Sequence, residues 1–335
     1  VGSRVWVSSS QRRKVPRYMD VDSMSLKELK ALISKAGLSS EDCIDKSDLR
    51  ARAKEAQERL AAVPQAGGGP ASGGARSTRE MGGYNCIVKG PADLIDESAG
   101  APADLLVIML HGLGASNTDL VDVMPLLASS EPSIGAARMV QVFPQAPMTS
   151  IGAAWWTFDV MTYMQAAMSG NTDLLGELIR KKPDGLDECR KQFVRLLNEA
   201  RMLAGGSAGA LPSKQVLLAG FSLGSITALD TALNRPSGEG VAGVLFMNGA
   251  PICVEEWAVL VRKHPGLRVH MTAGMKDMTL PSQCSGWVKQ LLDANGAKAE
   301  LDLHQGGHEV GGPDVIRKIA AFVREMLESA AAATA

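Results

Sequence analysis

Beyond residue 100, six short apolar runs alternate with amphipathic stretches at helical spacing, and this alternation constrains the fold more than any other feature. The runs are Leu105–Leu110 (LLVIML), Met139–Phe143 (MVQVF), Gln215–Ala219 (QVLLA), Val241–Met247 (VAGVLFM), Leu267–Ala273 (LRVHMTA) and a weaker sixth, Ala299–Leu303 (AELDL). Each is short, bounded by turn residues and rich in Val, Leu and Ile. Helical patterns fall between or after them, at Leu186–Leu203, Ser222–Asn234, Ser282–Ala294 and Asp314–Leu327. Strands apolar on both faces need a layer on each side, and crossover helices supply it. The expected class is α/β, a mostly parallel sheet flanked by helices, with its chemistry at the carboxyl ends of strands.

The front of the chain does not follow this pattern. Residues 1–63 carry 13 Lys/Arg against 9 Asp/Glu, whereas the remainder carries 22 against 27, so the net charge of −1 conceals an asymmetry. With no whole-chain field, general attraction to nucleic acid or acidic membrane is not expected. Pro64–Gly74 (PQAGGGPASGG) can neither continue a helix nor pack a core, and reads as a linker. The expected division is a basic tail at 1–22, a two-helix module at 23–63, a Gly-rich linker at 64–80, the α/β domain at 81–329 and a disordered tail at 330–335. Residues 1–19 hold five Arg/Lys, four Ser and no acid, the composition of a basic tail or of an organellar transit remnant. Five scattered cysteines (Cys43, Cys86, Cys189, Cys253, Cys284) with no CxxC pair argue against a disulfide framework or zinc module and for a reducing compartment. The expected location is the cytoplasm, with chloroplast or mitochondrion as the alternative. No run is long and apolar enough for a transmembrane helix.

The strand QVLLA leads directly into Gly220-Phe221-Ser222-Leu223-Gly224 and then a helical pattern, which is G-x-S-x-G in its required strand-turn-helix context. A serine at the tip of so tight a turn takes a strained backbone, and glycines two residues away on each side relieve the clash. Ser222 is therefore the candidate nucleophile. It needs a base, and the base needs an orienting acid. In this architecture the acid and the histidine follow the serine along the chain. Asp277, in the loop after LRVHMTA, is preferred over Glu255, which sits where a helix start wants an acid for its dipole. Of the five histidines, His308 lies in a glycine-flanked loop beyond the sixth strand and is the candidate general base. His111 reads as a structural brace. His304 and His308 share HxxxH spacing, but Gly306 and Gly307 disfavour the helix a metal pair would need, so neither metal nor cofactor is expected. In His111-Gly112-Leu113-Gly114 the Leu113 N–H, with the Leu223 N–H, would form a two-donor oxyanion hole.

HGLGASNTDL, PQAPMTSIGAAWWTFD, GFSLG, GMKDMTLP and GGHE occur in this order, and together they resemble the acyl-protein thioesterase and carboxylesterase branch of the α/β-hydrolases. The resemblance covers about residues 83–328. It implies an α/β-hydrolase fold and a cofactor-free serine esterase or thioesterase, with the triad on Ser222, Asp277 and His308 and the oxyanion donors on Leu113 and Leu223. Gly274, Asp277 and Pro281 complete the family's acid motif. The chain departs from eukaryotic depalmitoylating members in having Leu223, where they carry Gln, and its Trp155-Trp156 pair resembles bacterial-type carboxylesterases. Trp155, Trp156, Met164 and Met168 are candidate substrate-binding residues, since flexible methionines suit varied acyl groups. The apolar stripe from Tyr163 to Ile179 reads either as helix packed on the body or as a lid over 161–182. The implied substrate is a small ester or thioester; the alternatives are a lysolipid or acylated protein at a membrane surface.

Ser25-Leu26-Lys27-Glu28 is a capping box; Leu26, Leu29, Leu32 and Ile33 form an apolar stripe, and Gly37 closes that helix. A second helix would carry Leu49, Ala53, Ala56 and Leu60. The pattern LKELKALISKAGL…CIDKSDLRARA resembles a SAP-like helical hairpin. That resemblance implies DNA contact through Lys27, Lys30, Lys46, Arg50 and Arg52, although lysines on a helix are ordinarily its solvated face, and no aromatic platform supports single-strand binding. A non-catalytic scaffold with a nucleic-acid- or protein-binding hairpin is the rival of a different class.

Overall fold

The computed structural model describes residues 46–62, 74–96 and 100–332, with isolated positions 21, 29 and 33. The chain divides into two compact units, Val1–Gly69 and Pro70–Ala335. In the first, helix α1 (Lys46–Ala62) places Leu49, Ala53 and Ala56 in one small buried cluster with Val21, Leu29 and Ile33. Arg52 pairs along α1 with Glu55 at 3.3 Å. The expected basic tail (Val21 excepted), the first helix of the hairpin apart from Leu29 and Ile33, and residues 64–73 of the linker lie outside the described residues. So do Lys27, Lys30 and the side chain of Lys46.

The second unit is built on one eight-stranded sheet. Its strands are β1 (Gly74–Met81), β2 (Tyr84–Pro91), β3 (Leu105–Leu110), β4 (Met139–Pro144), β5 (Val216–Phe221), β6 (Gly243–Met247), β7 (Arg268–Gly274) and β8 (Lys298–His304). They lie in the order β1-β2-β4-β3-β5-β6-β7-β8. β1 pairs antiparallel with β2, and β2 antiparallel with β4; every other pairing is parallel. The chain therefore crosses back over the sheet after each parallel strand, on helices α2 (Val123–Ser130), α3 (Val160–Ser169), α4 (Thr172–Arg180), α5 (Leu186–Gly205), α6 (Leu223–Leu233), α7 (Val254–Val261), α8 (Ser282–Ala294) and α9 (Pro313–Ala332).

Period-two geometry divides each strand between two cores. Leu106, Ile108 and Leu110 of β3, Val216 and Leu218 of β5, and Val244 and Phe246 of β6 face one layer, which includes α5, α6 and α8. Leu105, Val107, Met109, Leu217, Ala219, Leu245 and Met247 face the other, beneath α2 and α9. Burying one such side chain contributes about 1.5–3 kcal/mol, and continuous apolar strands are stable here because both faces are covered.

Two expected boundaries are corrected. Residues 74–80, expected as linker, form β1. GARSTRE has no apolar alternation, and what makes it a strand is its full register against β2, from Gly74 opposite Pro91 to Met81 opposite Tyr84. At the other end α9 continues to Ala332, where a tail was expected to begin at 330. Alanine is the strongest helix former, and Ala330 is buried.

A buried ion cluster ties α5, α6 and α7 together. Arg190 donates to both carboxylate oxygens of Asp230, at 2.8 and 2.7 Å, and to Glu256 at 2.8 Å; the Trp257 indole donates to Asp230 at 2.9 Å. The two-pronged guanidinium–carboxylate geometry satisfies both partners where water is scarce, and the carboxylates push the Arg190 pKa above its ordinary value despite burial. Asp230→Ala removes the bidentate partner, leaving the guanidinium with Glu256 and the more distant Asp187 at 3.6 Å and the buried Trp257 indole without its acceptor. It is expected to lower the unfolding free energy in a urea titration by about 3–5 kcal/mol; a loss below about 1 kcal/mol would show that the cluster is not a clamp.

Candidate active site

Ser222 stands between β5 and α6 with φ 54° and ψ −123°, a conformation that L-residues rarely adopt. Packing enforces it. A Cβ at Gly220 would lie 2.2 Å from the Gly224 carbonyl oxygen, and one at Gly224 would lie 2.1 Å from the Leu110 carbonyl oxygen at the end of β3. The strand can turn straight into the helix only because neither residue carries a side chain. The turn is pinned by Ser222 N donating to Met247 O at 2.8 Å, across to the end of β6. Leu223 is the first residue of α6, so its N–H has no acceptor within the helix and the positive end of the dipole lies at Ser222.

Asp277 follows β7 and is buried. Its Oδ1 accepts from the backbone N–H groups of Thr279 at 2.8 Å and Leu280 at 2.9 Å, while its Oδ2 accepts from His308 Nδ1 at 2.6 Å. The turn therefore fixes one carboxylate oxygen and leaves the other for the imidazole. His308 lies beyond β8, partly exposed, its ring 4.9 Å from that of Phe221, the residue before Ser222. Asp277 and His308 meet at the carboxyl edge that also carries Ser222. Among the described residues, no hydrogen bond joins the Ser222 hydroxyl to His308. Glu255, the rejected acid, lies in the first turn of α7, largely exposed, in an ion pair with Arg180.

Residues 95–327 match the Phospholipase/Carboxylesterase family. The chain belongs to that family. It is 24% identical over 253 residues to acyl-protein thioesterase 1 of Mycosarcoma maydis, a match covering 70% of this chain and 96% of that protein. The crystal structure of esterase PE8 superposes with a TM-score of 0.52 at 22% identity, covering 68% of this chain and 95% of the other. A carboxylesterase from Mesorhizobium loti superposes at 0.50 with 19% identity, covering 76% and 98%. The structural matches establish the α/β-hydrolase fold, and family membership makes this chain a hydrolase with esterase and thioesterase relatives. Among the described residues, no helix is long and apolar enough to cross a membrane.

Within this carboxylesterase-family framework the remaining expected residues take different places. Leu113 is partly buried and follows β3; the turn it occupies is held by Gly114 N donating to Ala153 O at 2.8 Å. His111 is buried at the end of β3, with Nδ1 2.8 Å from the Gly112 carbonyl oxygen and Nε2 accepting from Ala146 N at 3.1 Å. One ring nitrogen donates and the other accepts, so the ring is neutral and braces the turn before Leu113. Trp155 and Trp156 belong to the core rather than to an open cleft wall, being 4% and 3% exposed. Their indoles donate to His111 O at 2.9 Å and to Thr227 Oγ1 at 3.0 Å, which gives each buried N–H an acceptor and locks the strand to the serine helix. α3 and α4 pack on the body through Tyr163, Leu175, Leu174, Leu178 and Ile179. Met164 is half-buried there, and Met168 is exposed. A cavity of about 140 Å³ beside this pair is lined by Phe158, Tyr163, Leu178 and Ile252 among others.

One site residue escaped the sequence reading. Asn248, directly after β6, is buried with φ 51°, and its side-chain amide donates toward Asp277 Oδ2 at 3.3 Å and Glu309 O at 3.0 Å. The available signal was the Asn248-Gly249 pair following an apolar run, a dipeptide that tolerates left-handed backbone.

Burial holds the imidazoles of His111 and His270 below their ordinary pKa; for His270 the nearby Asp302, 3.3 Å away, opposes the effect only in part. A histidine depressed in the folded state takes up its proton first in the unfolded chain, so its stabilisation is complete above the unfolded pKa and is lost as pH falls. The thermal midpoint should therefore decline as pH is lowered through about 6.5 toward about 5.5, above the carboxylate range. A midpoint that stays flat or rises over that interval would contradict the neutral-brace assignment.

Proposed function

We propose that this chain is a serine carboxylesterase or thioesterase that works through an acyl-enzyme, with Ser222 as nucleophile, His308 as general base and Asp277 as the acid that orients it. The observation that carries the reading is the 2.6 Å bond from His308 Nδ1 to Asp277 Oδ2 at the sheet edge where Ser222 is held in its strained turn. With the Asp277 carboxylate as acceptor, the proton sits on Nδ1 and Nε2 is left to accept the serine proton.

In the first half-reaction Ser222 Oγ adds to the ester or thioester carbonyl as His308 Nε2 takes its proton. The oxyanion forms opposite the N–H groups of Leu113 and Leu223, each worth about 2.7–4 kcal/mol of transition-state stabilisation. The α6 dipole adds to that field. Asp277 stabilises the imidazolium without taking its proton. His308 then protonates the departing alcohol or thiol, leaving an acyl group on Ser222. Water, deprotonated by the same imidazole, releases the acid and restores the serine.

A second reading, hydrolysis of lysolipids or acylated proteins at a lipid surface, is favoured by one observation. The exposed apolar side chains Met148 and Ile151 lie on the loop whose Ala153 carbonyl holds the Leu113 turn, and Met275 and Met278 lie on the Asp277 loop. A non-catalytic scaffold is disfavoured by the strain at Ser222, which a binding module has no reason to keep.

Ser222→Ala should abolish ester turnover and covalent labelling by a fluorophosphonate probe while the thermal midpoint stays within a few degrees of wild type. Labelling retained at the wild-type level in that variant would overturn the nucleophile assignment. A panel of acyl esters and thioesters from acetyl to palmitoyl, assayed on the purified protein, separates the two substrate readings. Activity confined to acetyl and butyryl chains would exclude the lipid reading, and activity that rises with chain length would support it.

A further inference from the structure

We infer that Asn248 is a positioning residue that staples the acid loop to the base loop, so that the Asp277–His308 bond is preformed. The inference rests on the triad proposed above and adds a fourth side chain to it. Asp277 and His308 stand on two separate loops, after β7 and after β8, and their hydrogen bond must survive the independent motion of both. Asn248 lies on a third, after β6. Its backbone N–H donates to Thr272 O of β7 at 2.8 Å, which fixes the residue against the strand that leads to Asp277. Its side-chain amide then faces three acceptors: Asp277 Oδ2 at 3.3 Å, Glu309 O at 3.0 Å and Gly307 O at 3.4 Å.

Two of these acceptors flank His308 in the chain, and the third is the carboxylate oxygen that His308 itself engages. An amide nitrogen carries two hydrogens, so one side chain can donate to the acid and to the histidine loop at once. Three acceptors crowded at one end of the amide also define its orientation, because the reversed amide would set oxygen against oxygen. Among the described residues, Asn248 Oδ1 is correspondingly buried with no partner. A residue kept for packing alone would not leave a buried carbonyl unpaired. The left-handed backbone, φ 51°, is a second departure from a relaxed strand end, and asparagine and glycine are the residues that tolerate it best. Both departures serve the same end, which is to aim the amide nitrogen at the place where the two loops meet.

Asn248→Gly keeps the backbone conformation and deletes the amide; Asn248→Asp keeps the shape and replaces the donor by an acceptor facing a carboxylate and two carbonyls. Both should lower kcat by about tenfold to a hundredfold with little change in KM, because substrate contacts are untouched while the base is held less well. Each should also shift or broaden the far-downfield proton resonance of the His308 Nδ1–Asp277 bond, assigned by its disappearance in Asp277→Asn. A folded Asn248→Gly protein with wild-type kcat and an unmoved resonance, altered only in thermal midpoint, would reduce Asn248 to a structural residue. Should Asn248→Gly not fold, the same two readings on Asn248→Asp decide the matter. Ser222→Ala separates the two levels. If it retains labelling, the triad itself is wrong; if it is inert while both Asn248 variants keep full kcat, only the staple is wrong.

Discussion

The strained turn at Ser222 is the constraint on which the rest of this structure depends. A side chain at the tip of a strand-to-helix turn can hold φ near +54° only if the surroundings leave the backbone nowhere else to go. Here the end of β3 presses on Gly224, and Gly224 presses on Gly220, at distances that exclude a Cβ on either. The hydrogen bond from Ser222 N to Met247 then ties the turn to β6, and Asn248, the next residue, reaches Asp277 and the loop that carries His308. Sheet order and active-site geometry are thus one arrangement, since β3, β5, β6, β7 and β8 each end at the same edge and each contributes a part.

Support for that edge comes from the far side of α6. The Arg190–Asp230–Glu256 cluster anchors the helix whose first residue is Leu223, and the Trp156–Thr227 bond anchors it again, one turn further in. His111 and Trp155 brace the turn that carries Leu113 in the same manner, with every ring nitrogen given a partner. The helix and the turn are therefore held by buried polar groups that find their own partners, which is how a low-dielectric interior keeps dipoles aimed without letting them relax toward water.

Much of this was legible in the primary structure. The runs at Leu105–Leu110, Gln215–Ala219 and Leu267–Ala273 match β3, β5 and β7 to within two residues, because strands buried on both faces must be apolar throughout. Ser222 was marked by glycines whose absent side chains the turn requires, and Asp277 and His308 by their places in loops after the later strands. β1 was not legible. Its residues are polar, and its pairing with β2 rather than any local preference makes it a strand. Asn248 was missed because its role lies in three acceptors contributed by residues 29 to 61 positions away.

Local chemistry alone thus determined the layer architecture and the position of the sharp turn at Ser222, since periodicity and glycine placement act over a few residues. Only the tertiary structure decided that the tandem tryptophans are braces within the core, that the stretch after Phe158 folds into a packed helix pair, and that the Asn248 amide faces both Asp277 and the residues flanking His308. These assignments depend on which distant groups share a buried volume, and burial with hydrogen-bond satisfaction is a property of the folded assembly rather than of any segment taken by itself.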